Sequence, residues 1–180
     1  MNNLSNPNPM QQEILLDVQI ATQSDDIPSV AEFKNWVSGT FDYLNSADDQ
    51  ALIPTANDIE LTIRVVGEKE IQSLNKQYRQ KDNVTNVLSF PYEAMPGVET
   101  GLLGDIIICA QVVNQEADEQ GKQRQHHWTH MVTHGILHLL GLDHLDEQEA
   151  EHMEMCEINI LNTLGITDPY KKNENQVMRK

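Results

Sequence analysis

Residues Asp105-Ile106-Ile107-Ile108-Cys109 constrain the fold most. Side chains alternate between the two faces of an extended chain, so four apolar residues in a row place apolar groups on both faces. That is the pattern of a central strand, covered above and below. A second segment differs. Ile59, Leu61, Ile63 and Val65 alternate with Glu60, Thr62 and Arg64, which predicts a half-buried strand stopped at Gly67. Residues 14–20 and 86–90 are β-prone, the latter ended by Pro91. Apolar residues at helical spacing predict helices over about 29–44, after Gly67, over 110–120, over 124–140 and over 146–164. In the second of these, Ile71, Leu74 and Tyr78 form the apolar face. The order is strand, helix, strand, helix, two strands, then helices. It predicts an α+β domain with one mixed sheet of about four strands. The chain has 180 residues, enough for one domain with a real core. The expected boundaries are a tail over 1–12, a domain over 13–167 and a polar tail over 168–180.

Two cysteines exclude a disulfide scaffold and read as reduced thiols. No apolar run reaches the length of a membrane span, and the first residues carry neither the basic nor the apolar part of a signal peptide. The expectation is a cytoplasmic protein. The formal charge is −16, from 28 acidic and 12 basic residues. This excludes a generic nucleic-acid binder working by a basic surface, and adhesion to anionic membranes. The charge is uneven. Residues 61–90 carry a net +2, so the remainder holds −18. A locally positive cleft on an acidic body can still focus field toward a phosphate.

Six of the seven histidines fall within residues 126–144. His134 and His138 are four apart on an expected helix, so their rings share one face and can share one metal. Gly141 lets the chain leave the helix and turn, which can bring His144 round as a third ligand. Three imidazoles with an open fourth position are the pattern of a catalytic zinc site. A closed structural site would add Asp143 or a cysteine. The spacing is that of H-E-x-x-H-x-x-G-x-x-H metalloproteases, except that Gly135 stands where they carry the general-base glutamate. A metallopeptidase reading therefore lacks its proton acceptor. His126, His127 and His130 precede the pair, and the last two lie on its helical stripe, as second-layer groups, substrate contacts or ordinary helical histidines. Asn86 and Asp82 suit turn chemistry as well as function.

The segment His134-Gly135-x-Leu137-His138-Leu139-x-Gly141-x-Asp143-His144 resembles that of the YbeY family, the rRNA-maturation endoribonucleases of bacteria. An independent block matches through Asn75, Tyr78, Arg79, Asp82, Thr85, Asn86, Val87, Leu88, Ser89 and Phe90. Arg64 and Gly104-Asp105 are shorter matches, and the likeness spans roughly residues 12 to 165. Leu142 departs from the family's frequent Tyr. The resemblance implies one zinc ion held by His134, His138 and His144. It implies single-strand-specific cleavage of RNA in rRNA maturation, including the 16S 3′ end, and in ribosome quality control. Ribosomal RNA, small-subunit proteins and assembly factors are the implied partners, with no membrane. It also carries the family's cleft arginine to Arg64, which could clamp a phosphate through two hydrogen bonds. Read without the resemblance, Arg64 pairs with a strand-surface acid such as Glu60. Zinc would polarise a phosphoryl oxygen and lower the pKa of water. Arg64 and His134 are thus the expected catalytic residues, with Asp143 or His130 as general base. The alternative is a zinc-stabilised ribosome-assembly factor whose main work is binding.

Overall fold

The computed structural model describes residues 12–171 apart from 47–50, 57, 96, 99, 144 and 145. Four strands, β1 (Glu13–Ile20), β2 (Asp58–Val66), β3 (Val87–Pro91) and β4 (Leu102–Cys109), form one sheet in the order β1-β2-β4-β3. The β1–β2 and β2–β4 pairs are parallel and β3–β4 is antiparallel, so the sheet is mixed. The helices are α1 (Val30–Ser46), α2 (Glu68–Arg79), α3 (Ala110–Glu119), α4 (Arg124–Leu139) and α5 (Glu147–Thr163). The expected α+β class and element order hold. Strand β4 starts at Leu102, three residues before the run Asp105–Cys109 that marks it in the sequence.

The apolar run sorts as its alternation requires. Ile106 and Ile108 enter the main core with Ile59, Leu61, Ile63 and Val65. There they meet Phe33, Val37 and Phe41 of α1, Val132, Ile136 and Leu137 of α4, and Ile160 of α5. Ile107 and Cys109 face the other way, into a smaller core with Val66, Leu88 and Ile71 of α2. The sheet thus separates α1, α4 and α5 from α2. Tyr78 departs from expectation. It stays 59% exposed, its ring edge-on to Phe90 at 5.1 Å between centroids. Tyr78 lies in the last turn of α2, against Phe90, which is itself only partly buried at the small core.

Local sequence sets the helix ends. Ser29 and Glu32 form a capping box: the Glu32 carboxylate accepts from the Ser29 N–H at 2.7 Å, and Ser29 Oγ accepts from the Glu32 N–H at 3.3 Å. Asp146 caps α5 by accepting from the N–H groups of Gln148 and Glu149. Helix α4 closes with Gly141 at φ 91°. Gly141 N–H donates to the His138 carbonyl and Leu142 N–H to the Leu137 carbonyl, a Schellman closure. That turn carries Asp143 back toward the last turn of α4.

Gln12, assigned to the N-terminal tail from sequence, donates to the carbonyls of Pro54 and Ala56 at 2.8 and 2.6 Å. Among the described residues, no helix is long and apolar enough to cross a membrane.

Candidate functional site

Helix α4 lies close against the sheet because residue 135 has no side chain. A Cβ there would stand 2.7 Å from Ile106 Cγ2 and 2.9 Å from Ile106 Cδ1. Ser89 of β3 adds a hydroxyl donor to the Gly135 carbonyl at 3.4 Å. Position 135 therefore faces the sheet and not the histidine side. A glutamate there would drive a carboxylate into Ile106, which removes the metallopeptidase arrangement on steric grounds.

One turn apart, the rings of His134 and His138 meet edge-on, 4.5 Å between centroids. Their Nε2 atoms face each other at 3.1 Å. Behind His134 stands Glu157 of α5, fully buried, its Oε1 2.6 Å from His134 Nδ1. A carboxylate there requires a proton on Nδ1, so the Nε2 lone pair of neutral His134 turns toward His138. This is the carboxylate–histidine pattern that orients metal ligands. His130 Nε2 lies 3.0 Å from the other Glu157 oxygen, and the Tyr170 hydroxyl donates to that oxygen too. Burial alone would raise the Glu157 pKa. The hydrogen bonds from His130 and His134 outweigh it and hold the carboxyl at about 2. Burial pushes the His130 pKa down against the pull of the same carboxylate.

His144, the third expected ligand, lies outside the described residues. Among the described residues no group of three His, Cys, Asp or Glu side chains converges on a metal position. The two facing imidazoles, with one tautomer set from behind, fit two ligands of a zinc site.

The expected acid–base and phosphate groups separate. Asp143 stands with His138 at one cleft, its Oδ1 3.9 Å from His138 Nδ1. His130 is buried against Glu157, on the far side of His134 from that cleft. Arg64 is not brought to the histidines. It pairs in register with Ile107, whose face of the sheet belongs to the small core, whereas α4 packs on the Ile106 face. There Arg64 Nε donates to Glu70 at 2.9 Å and Nη1 to Gln19 at 3.0 Å. Its acidic partner is Glu70, from the first turn of α2, and not the strand-surface Glu60.

Glu157 and Tyr170 were not foreseen. Glu157 follows Met153 by four and precedes Ile160 by three, so it is an acid on the apolar stripe of α5; that misplacement was its signal. Tyr170 lies in the segment expected to be a tail. A second carboxylate does similar work next door. Glu116 accepts from His127 Nε2 at 2.8 Å and from Asn86 Nδ2 at 3.1 Å, tying α3, α4 and the start of β3. Asp82 is a surface staple, bonded to Lys76 and Gln72 of α2.

A solved structure, the solution structure of TM1509 from Thermotoga maritima, superposes with a TM-score of 0.54 at 23% identity. The match covers 86% of this chain and 99% of that one, and it bears on the fold. The family described as "Endoribonuclease YbeY" matches residues 18–165, which include both sheet faces, the histidine pair and Glu157. With that match over most of its length, the chain belongs to the YbeY endoribonuclease family.

Proposed function

We propose that the protein is a zinc-dependent endoribonuclease that cuts single-stranded RNA during ribosomal RNA maturation, the 16S 3′ end included, and in ribosome quality control in the cytoplasm. The observation that carries this reading is the pair of Nε2 atoms at 3.1 Å, with His134 held by a buried carboxylate. His134, His138 and His144 would hold the ion. Zinc, when bound, supplies a Lewis acid for a phosphoryl oxygen and brings the pKa of water toward about 7.

The chain's own groups do the rest. Glu157 stays ionised at working pH and fixes the His134 ring, which spares the ligand a search for its tautomer. Asp143, at the cleft beside His138, is the better-placed general base; His130 is shut behind His134. Any contact of Arg64 with RNA would be made from the α2 face and not at the ion. The acidic body binds bulk RNA poorly, so delivery by small-subunit proteins or assembly factors suits the charge of −16.

The test is elemental analysis of wild type and His134→Ala, paired with cleavage of a single-stranded RNA. The expected result is about one zinc per chain and cleavage, both lost in the variant. A variant that keeps its metal sinks the ligand assignment. Metal-loaded wild type that leaves RNA intact favours the assembly-factor reading.

A further inference from the structure

The chain after α5 is built to present one side chain. Gly165 takes φ 76°, Ile166 N–H donates to the Leu161 carbonyl at 2.8 Å and Gly165 N–H to the Asn162 carbonyl at 3.1 Å, a second Schellman closure. The turn redirects the chain and buries Ile166. Two residues on, Asp168 Oδ1 accepts from the Tyr170 N–H at 2.9 Å across Pro169. An aspartate closing such a turn over the fixed φ of proline holds Tyr170 in one direction.

The Tyr170 ring stands edge-on to His130, 5.5 Å between centroids, and its hydroxyl donates to the Glu157 oxygen that also faces His130. Apolar burial does not account for this placement. The ring stays 45% exposed, and the segment bridges a cavity of about 290 Å³ against the start of α4, bordered by Lys122, His126, His127 and Asp168. What the contact supplies is a donor to a buried carboxylate. Burial, with the Glu157 charge beside it, pushes the Tyr170 pKa up, so the hydroxyl keeps its proton and donates.

The last torsion of a glutamate is broad, so hydrogen bonds decide where its two oxygens point. His130 and His134 both come from α4. Among the described residues, Tyr170 is the donor to Glu157 that α4 does not supply. It holds Oε2 from a second segment, which leaves Oε1 aimed at His134 Nδ1. Resting on the zinc-ligand reading above, we infer that Tyr170 is a positioning residue for the metal site: its hydroxyl locks the Glu157 carboxylate, and through it the Nδ1–H tautomer and ring direction of His134. The segment after α5 thereby sets how well the histidine pair takes an ion, without supplying a ligand.

The test uses Tyr170→Phe, which keeps the ring and removes only the hydroxyl. Two readouts are taken on the full chain: the histidine tautomers of metal-free protein by nitrogen-15 NMR, and zinc affinity by competition with a chromogenic chelator. His134 of metal-free wild type should show the Nδ1–H tautomer, and Tyr170→Phe a mixture with Nε2–H. Zinc affinity should fall about three- to tenfold, less than for loss of a group that touches the ligand itself. Asp168→Ala, which frees the turn presenting Tyr170, should give the same change in smaller measure and add nothing to Tyr170→Phe. If Tyr170→Phe leaves both the tautomer and the zinc affinity as in wild type, the assignment is overturned while the ligand reading stands. A lower urea midpoint with both readouts unchanged overturns it equally, because the contact then serves stability alone. If wild type takes up no zinc, the ligand reading falls, and the tautomer comparison, made without metal, still decides for or against Tyr170.

Discussion

Replacing Gly135 by Ala tests how the histidine helix is seated. In an uncrowded helix interior the change stabilises by about 1 kcal/mol, because glycine loses more backbone entropy. Here the new Cβ would sit 2.7, 2.9 and 3.2 Å from Cγ2, Cδ1 and Cγ1 of Ile106, which is 0% exposed. Relief needs an off-rotamer Ile106 or a shift of α4 by several tenths of an ångström. Overpacking of this kind costs about 1–3 kcal/mol. After the propensity gain, the net change is a loss of roughly 0–2 kcal/mol. Urea unfolding followed by circular dichroism reads it as a lower midpoint at constant m-value. The three nearest atoms all belong to Ile106, so Ile106→Ala supplies the control. Alone it costs about 2–5 kcal/mol. In that background Gly135→Ala should stabilise, giving a coupling energy of about 1 kcal/mol or more. A gain of about 1 kcal/mol from Gly135→Ala in wild type, with no coupling to residue 106, refutes the close approach. It would also reopen position 135 to a catalytic carboxylate.

Glu157→Gln should lower zinc affinity about 10–100-fold in competition with a chromogenic chelator, since it loosens the orientation of His134; unchanged affinity contradicts that role. Arg64→Ala should leave zinc affinity unaltered and cost less than about 1 kcal/mol, as its ion pair with Glu70 is half-exposed. A lost ion on that substitution would place Arg64 at the site. Asn114→Ala strips the partner from the Trp128 indole N–H, which is 1% exposed and bonded at 2.8 Å, and should cost about 1–3 kcal/mol in urea unfolding.

Elements whose cause is local were readable from sequence. The two-faced run at 106–109 placed the central strand, and alternation at 59–65 placed its neighbour. His134 and His138 were readable because a helix turn fixes their relation whatever surrounds it. What was hidden depends on contacts distant in sequence. Glu157 is 23 residues from His134, and nothing but packing of α5 on α4 brings them together. Arg64 and Arg79 look alike as basic residues, yet it is Arg79 that lines the cleft beside His138. Which one reaches the cleft depends on the sheet face of β2 and on where α2 ends against β3. Tyr170 was lost for a similar reason: a polar segment near the end of the domain gives no periodic sign that one hydroxyl folds back onto Glu157.

The most direct test of the account is cleavage of a single-stranded RNA by one preparation before chelation, after chelation and after readdition of zinc. His138→Ala is carried through the same cycle. The account predicts cleavage, its loss, and its return in wild type, with none at any stage in the variant. Cleavage that persists in metal-free wild type, or in His138→Ala, would contradict it.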